Sequence, residues 1–348
     1  MLSQTKSPTK NANLHSAKRE KNDEFYTQLR DIENELKHYS IHFSGKVVLC
    51  NCDDPRVSNF FRYFFLNFHK LGLTRLIAAC YKNLSSDLFG RHQDKQAVYC
   101  IYDGTATDHR FKNIEEFVKQ NDWKILKGDG DFRSNECIEL LKQADVVCSN
   151  PPFSLFREYV AQLMEYNKKF IIVGNKNAIT YKEIFPLIKE NKLWCGFMPM
   201  GVDMLFDVPP EVAAQFIAEK KEGSTYRIVD GVVRGRSQSI WFTNLDHVRR
   251  HVELTLYKRY TPKEYPKYDN YDAIEVSNVT DIPMDYDGVM GVPILFLDKY
   301  NPKQFEILGS ADDKKYYPAI FGKNEGRITI QGKQPFKRLF IRRITKDR

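Results

Sequence analysis

From residue 46 the chain alternates two hydrophobic rhythms. Short continuous apolar runs have the length and composition of buried strands: KVVLCNC (46–52), RLIAACY (75–81), AVYCIYD (97–103), WKILKG (123–128), DVVCS (145–149) and KFIIVG (169–174). Between them apolar residues recur at helical spacing. In 56–72 the series Val57, Phe60, Phe61, Phe64, Phe65, Phe68 and Leu71 predicts a helix with one broad buried face, closed by Gly72. Those phenylalanines read as core. Further helices are predicted over 28–39, 134–143 with Ser134 as N-cap, 154–166 and 180–191.

Buried strands separated by helices indicate an α/β fold with a mostly parallel sheet covered by helices on both faces. In such sheets ligands bind beyond the C-terminal ends of the strands, so chemistry is sought just after each strand. Beyond residue 194 the pattern changes. Residues 200–236 read as loops with a hairpin around VDGVV, and QSIWFTN (238–244) alternates like a strand. The last hundred residues lack long helical patterns and are rich in Pro, Tyr, Asn and basic residues. The division expected from this is a polar basic arm (1–22), a catalytic domain (23–248) and a smaller basic recognition region (249–348).

Composition narrows the class. The chain has 348 residues, 42% of them hydrophobic, which suffices for a sizeable core. No apolar run reaches membrane-spanning length, and the N-terminus lacks a signal-peptide core, so a cytoplasmic protein is expected. The seven cysteines form no CxxC pair and several lie in strand-like runs. They are expected as reduced thiols, with no metal site. The net charge of +8 is unevenly placed. Residues 1–22 hold five Lys/Arg against Glu20, and residues 314–348 hold eleven against Glu325 and Asp347, so the body between is acidic. Basic ends on an acidic body suggest a polyanion contact. For the first 22 residues a solubilising tail is an equal alternative. In the C-terminal stretch the charges alternate with apolar residues (FKRLFIRRI), which points to an ordered strand or helix.

Three strand ends bear polar groups. After the first comes Asn51-Cys52-Asp53-Asp54-Pro55-Arg56. No glycine-rich phosphate cradle is present. A carboxylate here suits a ligand bearing an ammonium or hydroxyls, such as the amino-acid and ribose parts of S-adenosylmethionine, or it simply caps the next helix. After WKILKG comes Gly128-Asp129-Gly130-Asp131-Phe132, in which Asp131 can accept from an adenine amine and Phe132 can stack. Taken alone, a glycine-rich turn with a helix cap is the favoured reading of this segment.

After DVVCS comes Asn150-Pro151-Pro152-Phe153. Two prolines supply no backbone N–H and fix φ, so a core strand ends here in a stiff turn. An amine conjugated to an aromatic base is a poor nucleophile because its lone pair is delocalised. Accepting hydrogen bonds from both of its N–H groups localises that pair. The Asn150 side-chain oxygen and the Pro151 carbonyl supply two acceptors, the prolines keep them preorganised, and Phe153 offers a ring for stacking.

The order of DEFYT, VVLCNCDDPRVSNFF, GDGDFRS, SNPPFSLFREY, KKFIIVGN, IWFTNLDH and YPKYDNYDAI resembles the EcoRI-type adenine-specific DNA methyltransferases, over residues 17–195 and 238–305. The resemblance implies the class I S-adenosylmethionine-dependent methyltransferase fold. It implies methyl transfer to N6 of a flipped adenine in a short duplex site, GAATTC-like, within a restriction–modification system. Double-stranded DNA is the implied substrate, a cognate restriction endonuclease works on the same site without a stable complex, and a monomer is expected. By position Phe25, Tyr26, Thr27, Asn51, Asp53, Asp131 and Phe132 are implied to hold the cofactor, and Asn150 to Phe153 to be catalytic. Phe153 and Trp241 are implied to stack on the target base, with core packing as the alternative for Trp241.

Two features depart from the family pattern. CNCDDPR stands where most such enzymes have glycines, and the second strand ends in Cys80-Tyr81-Lys82 without an acidic residue for the ribose. Residues 196–237 match poorly, which leaves the target sequence open. Arg234, Arg236, Arg249, Arg250, Arg342 and Arg343 are the candidate DNA contacts. Methylation of an RNA base or of a protein glutamine amide, and a catalytically inactive DNA-binding relative, are the competing readings. The basic C-terminal region and the intact tetrapeptide weigh against them.

Overall fold

The structure, a computed structural model, describes residues 27–81, 96–104, 114–120 and 123–344. The chain divides into two compact units that interleave along the sequence. The first comprises residues up to Asn175 together with Asp203–Ser239, and the second comprises Lys176–Val202 and the chain from Ile240 onward. The division expected at residue 248 therefore falls inside the second unit.

The first unit opens with helix α1 (Leu29–Leu36) and then strand β1 (Val47–Cys50). The phenylalanine-rich segment follows, capped by Ser58, whose hydroxyl accepts from the N–H groups of Phe60 and Phe61. It forms two helices instead of one, α2 (Asn59–Leu66) and α3 (Phe68–Leu71), ending at Gly72 in the left-handed region. The break is at Asn67, whose backbone leaves the helical region (φ −105, ψ 11) and whose side-chain amide shares the Tyr63 carbonyl with its own N–H. Phe60, Phe61, Phe64 and Phe68 are buried as expected of core residues.

Strands β2 (Arg75–Ala79), β3 (Val98–Tyr102), helix α4 (Ile114–Gln120), strand β4 (Lys124–Ile125), helix α5 (Asn135–Gln143), strand β5 (Val146–Ser149), helix α6 (Phe156–Glu165) and strand β6 (Lys169–Asn175) complete the central layer. The strands run in the order β4-β3-β2-β1-β5-β6. β2, β1, β5 and β6 are mutually parallel, and burial of β1 and β5 agrees with their unbroken apolar runs. β3 and β4 pair antiparallel at the edge, which their apolar composition did not distinguish from parallel strands. The same unit carries a small antiparallel sheet of β8 (Met204–Asp207), β10 (Val232–Ser237) and β9 (Tyr226–Val229), with helix α8 (Pro210–Ala218) between β8 and β9. The expected hairpin joins β9 to β10 through Asp230 and Gly231, both at positive φ.

In the second unit, helix α7 (Phe185–Lys189) precedes β7 (Trp194–Cys195), which pairs antiparallel with β11 (Ser239–Thr243). A four-stranded sheet has the order β12-β13-β15-β14, from Ala273–Glu275, Val289–Pro293, Arg338–Arg343 and Phe305–Ser310. Helix α9 (Tyr317–Phe321) and Tyr271 pack beside it, with the Tyr271 and Tyr317 rings 4.7 Å apart. The basic stretch FKRLFIRRI supplies β15, an interior strand of this sheet, in agreement with its expected order. Arg338 on β15 and Glu275 on β12 form an ion pair at 2.6 Å with little exposure. Among the described residues no helix is long and apolar enough to cross a membrane.

Candidate active site

The parallel arrangement of β1 and β5 brings their C-terminal ends together, and with them two loops distant in sequence. β5 ends at Ser149, and the chain leaves it as Asn150-Pro151-Pro152. A single 3-10 turn (Phe153–Leu155) then leads into α6, with the Leu155 N–H donating to the Pro152 carbonyl. Asn150 and Phe153 are buried, at 7% and 6% exposure.

Around this turn lies a polar network on a buried floor. The Asp53 carboxylate accepts from Ser149 Oγ at 2.6 Å through Oδ2 and from Ser58 Oγ at 2.8 Å through Oδ1. The Asn150 backbone N–H points at Oδ2 from 3.4 Å. Ser149 Oγ also accepts from the Cys52 N–H at 3.1 Å. Burial pushes the Asp53 carboxyl up to about 6, against the hydroxyl and amide donors that favour its ionised form. Beside it Tyr159 of α6 donates to the Asn51 side-chain oxygen. Asn51 is 1% exposed, and its Nδ2 has no acceptor among the described residues. A buried amide donor left open at a strand end is a place for a ligand acceptor.

The loop after β4 is shaped by Gly130 and by the start of α5. Gly130 has φ +80, and a Cβ there would lie 2.2 Å from the Cys80 carbonyl oxygen at the end of β2. Only glycine lets the two strand-end loops approach so closely. Ser134 caps α5 as the sequence indicated, accepting from the Cys137 N–H, and Glu136 reaches back to the N–H groups of Lys127 and Gly128. Asp131 is chelated by the Arg133 guanidinium at 2.7 and 2.9 Å, which holds its carboxyl below the usual range. The Phe132 ring is buried and meets Tyr159 edge-on at 5.0 Å, while its carbonyl accepts from Gln162 of α6. Asn51, Asp53, Asp131, Phe132 and Asn150–Phe153 thus belong to linked loops at one end of the first unit's sheet. Asp53 and Asp131 have protein donors on both oxygens, a commitment invisible in the sequence. Ser149 and Tyr159 are the residues that sequence reasoning missed. A serine ending a buried strand immediately before the tetrapeptide was the available signal.

The remaining expected site residues are as follows in the structure. Phe25 and Tyr26 are outside the described residues, and Thr27 accepts from Asn59 through its carbonyl. Trp241 sits in β11 of the second unit at 1% exposure, so its indole is core packing there and presents no open face to a base. The Arg236 guanidinium is sequestered against Asp203 at 2.5 Å, with Arg227 on the same carboxylate at 2.9 Å. Arg234 pairs with Asp207. Arg250 lies over the Trp194 ring at 3.5 Å and donates to Asn191, and Arg249 donates to the Phe197 carbonyl. Arg343 donates to the Met284 carbonyl, while Arg342 is exposed on β15. Arg236 and Arg250 are thus engaged by partners within their own units.

The parallel strands and the asparagine-led turn after β5 define an α/β methyltransferase of the kind that modifies an exocyclic amine. Comparison with known proteins makes the class specific. The family described as adenine-specific methyltransferase EcoRI matches residues 13–344. The type II methyltransferase M.EcoRI of Escherichia coli is 47% identical, covering 94% of this chain and 95% of that protein. M.MpnI of Mycoplasma pneumoniae is 40% identical over 85% of this chain and 84% of its own length. M.MgeORF184P of Mycoplasma genitalium is 36% identical over 95% and 98%. No solved structure matches the chain. The chain belongs to the EcoRI family of adenine-specific DNA methyltransferases.

Proposed function

We propose that the protein transfers a methyl group from S-adenosylmethionine to N6 of an adenine flipped out of a short duplex DNA site. In this reading it protects that site from a cognate restriction endonuclease. The observation that carries the reading is the Asn150-Pro151-Pro152-Phe153 turn, fixed at the end of β5 by Ser149 and Asp53. The open Nδ2 of Asn51 supports a cofactor at the strand ends, since the carboxylate of an amino-acid moiety is a fitting acceptor for it. The Gly130 loop, with Asp131 and Phe132, is assigned to the adenosine part.

When bound, the cofactor supplies an electrophilic sulfonium methyl. The protein contributes orientation and electrostatics. The Asn150 side-chain oxygen and the Pro151 carbonyl accept from the two N–H groups of the adenine amine and expose its lone pair. Phe153 gives the base an aromatic surface. The lone pair of the amine nitrogen would form the N–C bond as the methyl–sulfur bond breaks, the sulfur keeping that electron pair as S-adenosylhomocysteine leaves, and the methylated amine would then release one proton to solvent. Flipping the adenine costs a few kcal/mol of stacking, offset by this pocket. Phosphate affinity is assigned to the basic C-terminal stretch, with Arg342 as its exposed member on β15.

Asn150→Ala tests the mechanism. With radiolabelled S-adenosylmethionine and duplex DNA, transfer should fall by at least about 100-fold, the scale of losing one preorganised transition-state interaction. The Kd for DNA should stay within a few-fold. Full activity in that variant overturns the assignment. Cofactor binding is checked separately by melting: at 100 Kd the ligand should stabilise the fold by about 2.7 kcal/mol. No melting shift at saturating S-adenosylmethionine contradicts it.

A further inference from the structure

Asp53 stands where a cofactor-facing carboxylate is expected, yet its geometry turns toward the protein. It is 7% exposed, and each oxygen accepts from a serine hydroxyl, Oδ1 from Ser58 and Oδ2 from Ser149. Oδ2 also faces the Asn150 N–H. Ser58 caps α2 through the same hydroxyl oxygen, and Ser149 is the last residue of β5. One carboxylate thus joins the turn after β1, the start of α2 and the first residue of the catalytic turn. We propose that Asp53 is a positioning residue for methyl transfer: through Ser149 and the Asn150 N–H it sets the orientation of the Asn150 and Pro151 acceptors. This rests on the function proposed above and adds a residue acting through Asn150.

The three donors match an ionised carboxylate. Protonation turns one oxygen into a donor and removes an acceptor from the network. The other titratable groups around Asp53 do not take over its charge. Burial pushes the thiols of Cys50 and Cys52 beside β1, Cys148 on β5 and the Tyr159 phenol on α6 well above their ordinary values, so all are neutral near pH 7. The neighbouring Asp54 carboxylate is turned to Arg56, which chelates it at 2.6 and 2.8 Å. With the Asp53 carboxyl at about 6, the methyl-transfer rate should decline as pH falls through that value.

The test is single-turnover methylation of duplex DNA from pH 5 to 8, with S-adenosylmethionine affinity measured by calorimetry, on wild type, Asp53→Ala, Asp53→Asn and Ser149→Ala. Asp53→Ala should lose at least tenfold in rate, with the cofactor Kd within about threefold. Ser149→Ala should lose rate in the same way, and it carries the test where Asp53→Ala fails to fold. Asp53→Asn, which keeps one acceptor, should recover part of the rate and lack the acid limb near pH 6. A tenfold rise in cofactor Kd with unchanged single-turnover rate would make Asp53 a cofactor ligand and overturn the proposal. So would an unaltered acid limb in Asp53→Asn. Failure of the wild type to methylate any DNA would instead overturn the function reading.

Discussion

At the residue scale Asp53 also writes itself into stability. Its carboxyl is at about 6 in the folded protein, against an ordinary value of 3.8. The folded state therefore holds the proton more tightly than the unfolded state. The contribution to stability is full below about pH 4 and is lost as pH rises through 6. A shift of about 2 units corresponds to at most about 3 kcal/mol. Asp53→Asn removes this titration. Denaturant unfolding at pH 4.5 and pH 7.5 should show wild type losing stability relative to the variant, by about 2 kcal/mol, because part of the contribution is already lost at pH 4.5. A constant difference between the two pH values contradicts a buried, titrating Asp53. A residue that lowers stability at neutral pH while holding a reactive turn is a common functional compromise.

At the element scale the strands and helices around the site were legible, and their cross-connections were not. β1, β5, β6 and the Ser134 cap followed from periodicity and local residue type, because both are properties of short windows. The partnership of Asp53 with Ser149 spans 96 residues and exists only because β1 and β5 are parallel neighbours. No local pattern encodes it. The break at Asn67 was missed because the apolar spacing continues across it, while the departure is confined to one residue's backbone and its side-chain amide. The antiparallel edge of β3 and β4 was missed because direction is set by connections, not by composition. Gly130 read as a turn glycine, and the structure gives it a second duty against Cys80. Gly130→Ala combines an unfavourable φ with a backbone clash, so it should destabilise the fold by about 2–4 kcal/mol and weaken S-adenosylmethionine binding. Thermal unfolding with and without the cofactor checks both, and an unchanged melting temperature contradicts the close approach.

At the scale of the whole molecule, the candidate arginines separate into two kinds. Arg236 and Arg250 are held by Asp203 and by Trp194 and Asn191 within their own units, and their removal is expected to affect stability before DNA affinity. Arg342 is exposed on the strand that also provides the interior of the C-terminal sheet. Deleting residues 314–348 would remove that strand, so single charges are the proper probe. Arg342→Ala should weaken DNA binding evenly across sequences and reduce the slope of log K against log salt by about 0.9. An unchanged slope places Arg342 away from the phosphates. The 47% identity to M.EcoRI covers 94% of this chain and 95% of that protein.

The central claim is methyl transfer to N6 of adenine at a defined duplex site by the Asn150 turn. Single-molecule long-read sequencing of DNA from cells expressing wild type or Asn150→Ala tests it most directly. Wild type should leave N6-methyladenine at one recurring short sequence, and Asn150→Ala should leave none. Modification of another base, or an equal N6-methyladenine signal in both, would contradict it.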